Sequence, residues 1–181
     1  MFQFALFTGC RTSEYIALDW ASVNLQAGTA RIAKARVARV DQARTKTKAG
    51  LRTLELMAPA VAALQVQRAV SQLAGGKVFL LNGQPWHSDM RVNLHWRAVL
   101  KRAKVEYRNP YQTRHTFATM QLALGEVALR VAYLLGHADT EMVNRHYTRW
   151  IGADTASVRA EWRELIDELT PVTRRTVIAG A

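Results

Sequence analysis

Apolar residues in this chain recur mostly at helical spacing. In Asn109–Gly125, NPYQTRHTFATMQLALG, the positions Tyr111, Phe117, Ala118, Met120, Leu122 and Leu124 spread around most of the helical wheel. An apolar surface that wide predicts a helix buried inside a domain. Pro110 suits its first turn and Gly125 the position just past its end. The same reading predicts the end of a helix over Phe2–Phe7, and a helix capped by Thr12 or Ser13 with Tyr15, Ile16, Leu18 and Trp20 on its apolar face. It also predicts helices over Pro59–Leu73, from a Ser88 cap to about Lys104, and over Glu126–Leu135, Thr140–Trp150 and Thr155–Leu169. In the last of these, Val158, Trp162, Leu165, Ile166 and Leu169 form one stripe, expected to pack on its own domain. Thr29–Val40 alternates loosely and reads as strand. RTKTKAGLRTLEL reads as a hairpin turning at Ala49-Gly50, with Arg52–Leu56 as the return strand. GGKVFLLNGQPW reads as loop with a short strand. The expected fold class is α+β: mainly α with a small antiparallel β-sheet. No repeat, low-complexity run or linker-like break divides the chain. One domain is expected over residues 1–170, with a C-terminal tail over 171–181.

Composition narrows the function classes. At 181 residues and 49% apolar content the chain can bury a sizeable core. Lys and Arg total 25 against 14 Asp and Glu, a net charge of +11, with a sequence pI near 10.5. That excess points toward a nucleic-acid partner, and its scatter along the chain favours a folded basic face over a disordered arm. Cys10 is the single cysteine, which excludes a disulfide scaffold and a cysteine-rich zinc site and fits a cytoplasmic setting. The apolar run after Met1, FQFALF, is too short to span a membrane and lacks a basic flank.

The chemistry begins with Arg114 and His115, which interrupt the apolar helix. A buried, unpaired guanidinium costs several kcal/mol, so an anion is expected there. Arg11 in LFTGCRTSEYIALDW, and His137 and Tyr147 in LLGHADTEMVNRHYTRW, are similar polar residues among apolar ones. Taken singly, each has an ordinary reading: a surface ion pair for either arginine, a helix C-terminal cap beside Gly136 for His137, a core tyrosine for Tyr147.

Together and in order, these segments resemble the tyrosine recombinases of the phage integrase family over nearly the whole chain. TGCRTSE is similar to the family's first arginine motif and TRHTFAT to its second. LLGHADTEMVNRHY resembles the Leu-Gly-His motif with its following nucleophilic tyrosine, and TKTKAGLRTLEL the hairpin that bears the family's lysine. The resemblance implies the recombinase catalytic-domain fold. It also implies a site in which Arg11 and Arg114 grip a scissile DNA phosphate, His137 gives a further donor and assists proton transfer, and Tyr147 attacks to form a 3′-phosphotyrosyl bond. Guanidinium forks suit phosphate oxygens, and donors preorganised there stabilise developing charge. A phenol, with its pKa of about 10, needs a cationic surround to react. The expelled 5′-hydroxyl needs a proton. Alignment gives that role to Lys46, with Lys48 two residues on as the competitor. Glu14 and His115 are expected to hold the scaffold, His115 by orienting neighbours and not as a base.

Double-stranded DNA is the implied partner, through Arg44, Lys46 and Lys48 of the hairpin and Arg91, Arg97, Lys101 and Arg102 of the basic helix. The resemblance further implies a monomer when free and a tetramer on recombining DNA, with the tail beyond Pro171 crossing to a neighbouring protomer. No metal, other cofactor or ATP is expected. Two departures stand out. Tyr111 occupies a position where most members have His or Lys, so it leaves a modified site without that positive charge. The chain also reads as a catalytic domain alone, the N-terminal core-binding domain absent. The competing functions are a type IB topoisomerase-like nicking-closing enzyme and a prophage relic that only binds DNA.

Overall fold

The computed structural model describes residues 1–43, 50–73, 76–147 and 156–170. Helices α1 (Phe2–Leu6) and α2 (Thr12–Tyr15) open the chain, followed by strands β1 (Val23–Asn24) and β2 (Thr29–Ile32). A hairpin, β3 (Lys34–Val37) and β4 (Val40–Ala43), leads to β5 (Arg52–Glu55) and helix α3 (Ala58–Ser71). A ribbon, β6 (Leu80–Leu81) and β7 (Gln84–Pro85), precedes α4 (Asp89–Arg102), α5 (Gln112–Leu124), α6 (Ala128–Leu135), α7 (Glu141–Tyr147) and α8 (Ala156–Glu168).

Helix α5 is the centre of the molecule, as its apolar pattern requires. Phe117, Ala118, Met120, Leu122 and Ala123 are buried on it, and it packs against α1, α6, α7 and α8. Gly125 ends it in the left-handed conformation, φ 101°, and Gly136 ends α6 the same way, φ 68°. The expected C-terminal stripe packs inward: Trp162, Leu165, Ile166 and Leu169 lie against the common core. The tail, residues 171–181, lies outside the described residues.

Two expectations are corrected, and a third falls largely outside the described residues. The strand expected over Thr29–Val40 is split. β2 pairs with β1 and β5 in one antiparallel sheet, and β3 turns back onto β4 as a separate ribbon. Its turn is Ala38-Arg39, both at positive φ, a conformation that alanine and arginine do not advertise. The expected return strand does form as β5, but it is described pairing with β2, register Ala30↔Leu54. The expected turn at Ala49-Gly50 falls mostly in 44–49, outside the described residues. The helix expected from Thr12 or Ser13 starts one residue earlier, with Arg11 at the cap position, because the Glu14 carboxylate reaches back to the Arg11 N–H at 2.8 Å. It stops at Tyr15 because the next backbone groups bond elsewhere. The Ala17 carbonyl accepts from Lys77 Nζ at 2.7 Å, the Val78 N–H donates to the Leu18 carbonyl, and the Trp20 N–H donates to the Gly76 carbonyl.

Candidate active site

The site is assembled from several chain segments around the turn after α1. Gly9 makes that turn at φ 62°, and a Cβ there would meet the Phe117 ring at 2.5 Å and Leu135 at 2.9 Å. The backbone thus lies directly on α5 and α6, and side chains leaving this turn enter the core. Arg11 follows. Its Nη1 donates to Glu14 Oε1 at 3.0 Å. Arg52 from β5 meets the same carboxylate from the other side, Nη2 to Oε2 at 3.0 Å and Nη1 to Oε1 at 3.3 Å. Its Nε donates to the Leu134 carbonyl at 2.7 Å. Burial pushes the Glu14 carboxyl up. The charges and hydrogen bonds of Arg52 and Arg11 outweigh this and hold it at about 2.

Arg114 projects from α5 into this cluster and is 2% exposed. Its Nη1 donates to the Gly9 carbonyl at 2.8 Å and its Nη2 to the Leu135 carbonyl at 2.6 Å. Nη2 also lies 2.9 Å from Nε2 of His137. A guanidinium only donates, so Nε2 accepts and the proton of the neutral ring sits on Nδ1. Nδ1 is buried without a hydrogen-bond partner among the described residues. Burial, then the charges of Arg114, Arg11 and Arg52, push His137 down to about 4. Burial and the nearby Arg11 bring Arg114 down to about 10. Among the described residues no carboxylate forms an ion pair with Arg114, and three guanidiniums gather near one carboxylate.

Tyr147 ends α7 and is 6% exposed. Its hydroxyl lies 2.5 Å from Nδ1 of His115. Burial raises its pKa above the ordinary phenol value, against a lowering pull from Arg114. Tyr111 stands at the cap of α5 with its ring edge-on to His115, centroids 5.1 Å apart, and 6.0 Å from the Arg114 guanidinium carbon. A groove of about 470 Å³ opens here, lined by Arg108, Gln112, His115, His146 and Tyr147 among others.

The structure therefore brings together Arg11, Glu14, Arg114 and His137, with Tyr111, His115 and Tyr147 beside them. Arg91, Arg97, Lys101 and Arg102 are exposed on α4, within less than half of its circumference at ~100° per residue. Arg44, Lys46 and Lys48 lie outside the described residues. Arg52 was missed by the sequence reading. The signal was period-two alternation, which puts Arg52 on the same buried face of β5 as Leu54.

Comparison with known proteins gives the chain a family and a fold. The phage integrase family profile matches residues 1–151. The prophage integrase IntR of Escherichia coli K12 is 31% identical over 175 residues, 83% of this chain and 43% of the relative. The putative defective protein IntQ of the same strain is 26% identical over 92% of this chain and 48% of its own length. The chain thus spans about half the length of the curated relatives it matches. Among solved structures, the Tn1549 transposon integrase, in complex with circular intermediate DNA, superposes with a TM-score of 0.72 at 21% identity, over 91% of this chain and 58% of that one. The fold is that of tyrosine-recombinase catalytic domains, and the chain belongs to the phage integrase family.

Proposed function

We propose that this chain is the catalytic domain of a site-specific recombinase that cuts and rejoins DNA through a 3′-phosphotyrosyl intermediate. The observation that carries the reading is Arg114: a buried guanidinium, hydrogen-bonded to His137, with no carboxylate on it among the described residues. Such a group is a standing demand for an anion, and the scissile phosphate meets it. Arg11 and Arg114 grip the nonbridging oxygens with charge-assisted hydrogen bonds. His137, whose Nδ1–H has no partner among the described residues, supplies a neutral donor to the same phosphate. Preorganised donors of this kind stabilise the charge that grows during attack. Tyr147 is the nucleophile, and Lys46 or Lys48 the acid that protonates the departing 5′ oxygen. Arg52 is the brace: it holds Glu14, and Glu14 holds Arg11.

The test uses the whole chain with a pool of nicked duplexes of randomised sequence, in which cleavage releases a short strand and traps the covalent adduct. We expect a protein–DNA adduct that survives denaturation, and its loss in Tyr147→Phe with DNA binding nearly intact. A normal adduct yield from Tyr147→Phe would sink the assignment. Adduct selected from few sequences supports recombination; adduct on every sequence, with relaxation of any supercoiled plasmid, supports the topoisomerase reading. Binding without any adduct leaves a DNA-binding relic.

A further inference from the structure

Among the described residues, the groups gathered around the phosphate site donate hydrogen bonds or carry positive charge, except Glu14, whose carboxylate is taken up by Arg11 and Arg52. The tyrosine is largely buried, and burial makes its hydroxyl harder to ionise in place. Among the described residues, the basic atom hydrogen-bonded to it is Nδ1 of His115, at 2.5 Å. We propose that His115 is the general base that accepts the proton of Tyr147 during attack on DNA. The inference rests on Tyr147 being the nucleophile.

Several observations support it. The two side chains come from different helices, α5 and α7, so the contact is made by tertiary packing and is not a local accident of one helix. Among the described residues, the titratable and charged groups near His115 are Tyr111, Arg114, His146, Tyr147 and the groove-lining Arg108. None of them is a carboxylate, so nothing there holds the imidazole in its charged form. Burial, His146 and Arg114 keep it below its ordinary value, neutral and able to accept at pH 7. Tyr111 makes this possible. Its ring packs edge-on against His115, where a cationic side chain would repel a proton arriving on the imidazole. The residue that departs from the family pattern thus stands beside the base that the pattern does not assign.

The Tyr147 O–H bond breaks and its proton passes to Nδ1 of His115. The freed electron pair forms the bond from oxygen to phosphorus. The bond from phosphorus to the 5′ oxygen breaks, and that oxygen takes a proton from the acid. In rejoining, the 5′-hydroxyl attacks, and Tyr147 leaves as a phenol by recovering its proton from Nδ1.

The test is single-turnover adduct formation by the whole chain between pH 6 and 9.5, on a duplex recovered from the pool above, with DNA affinity and melting temperature measured alongside. His115→Asn keeps an acceptor near the hydroxyl but cannot carry the proton away. We expect its rate at pH 7 to fall by ~10²-fold or more. The defect should shrink about tenfold per pH unit as hydroxide replaces the missing base, and added imidazole should partly restore His115→Ala. A defect of equal size at every pH would make His115 a positioning residue and overturn the proposal. So would a rate equal to or above that of the unaltered chain, since a faster variant would show that the contact restrains Tyr147. Absence of adduct from the unaltered chain would instead sink the function itself. That outcome is separable, because only the first two require an active parent protein.

Discussion

At the scale of single residues, Arg114 shows how much of a site a sequence can disclose. Its position in an apolar helix announced a buried cation, and the structure places it 2% exposed with His137 on one nitrogen. The sequence could not disclose its other partners. Gly9 O and Leu135 O are backbone atoms 105 and 21 residues away, and no side-chain pattern marks a carbonyl. The contact between His115 and Tyr147 was hidden for the same reason: it depends on how α7 meets α5. The three bonds of Arg114 predict how it tolerates change. An ammonium is a point charge and cannot span Gly9, Leu135 and His137 while also gripping a phosphate. Arg114→Lys should therefore slow adduct formation by a barrier of ~2–4 kcal/mol. It should also lower the melting temperature, because two buried carbonyls lose donors. A loss of rate under tenfold, measured in single turnover, would argue that Arg114 is a structural group.

At the scale of elements, helices were legible and ribbons were not. A helix such as α5 declares itself over many residues, through its apolar surface and its terminal glycine. The β3–β4 turn at Ala38-Arg39 carries no Gly, Asn or Asp, so the chain reverses where the usual turn residues are missing. The short α2 ends because carbonyls and amides near it bond to residues about 60 positions on, such as Lys77 with Ala17. Elements are then locked together by Glu14. Its carboxylate joins α2 to β5 through Arg52, and Arg52 joins both to the end of α6 through Leu134. The carboxyl is held at about 2, against 4.5 when free. A depressed carboxyl stabilises the fold fully above the unfolded value, and that stability disappears as pH falls toward the folded value. The loss should run from about pH 4.5 to about pH 2 and amount to on the order of 3 kcal/mol. Glu14→Gln should destabilise at pH 7, because Arg52 loses its counter-charge, yet flatten that acid limb of stability. Urea unfolding at pH 7, 4 and 2.5 checks both. An unaltered acid limb in Glu14→Gln would move the linkage to other groups.

At the scale of the whole molecule, a net charge of +11 has to be reconciled with a core that already pairs several of its cations. Arg36, Lys34 and Lys77 are tied to Asp19 and Asp41 at the foot of the β3–β4 ribbon. Arg52 and Arg11 are tied to Glu14. The pairs of Arg36, Lys34, Lys77 and Arg52 cannot also serve a DNA backbone without breaking, whereas Arg11, with its side chain 25% exposed, stays open to the scissile phosphate. On the proposed function, the cations left for phosphates include the exposed set on α4, Arg91, Arg97, Lys101 and Arg102, together with Arg114 at the proposed scissile position. The Arg97 guanidinium is held over the Tyr107 ring, 4.4 Å from its centroid, which limits its freedom. About five such contacts predict a log–log slope of affinity against salt of roughly −4 to −5, since each neutralised phosphate releases close to one counterion. Replacing one α4 cation with alanine should weaken binding by a similar factor on every sequence and make the slope shallower by about one. Arg36→Ala, by contrast, should cost stability and leave the slope alone, because its guanidinium is already committed to Asp41 and to the Trp86 carbonyl. Fluorescence anisotropy of a labelled duplex from 50 to 300 mM salt separates the two classes. If α4 variants keep the parent slope while Arg36→Ala loses it, the DNA lies against the ribbon and not across the basic helix.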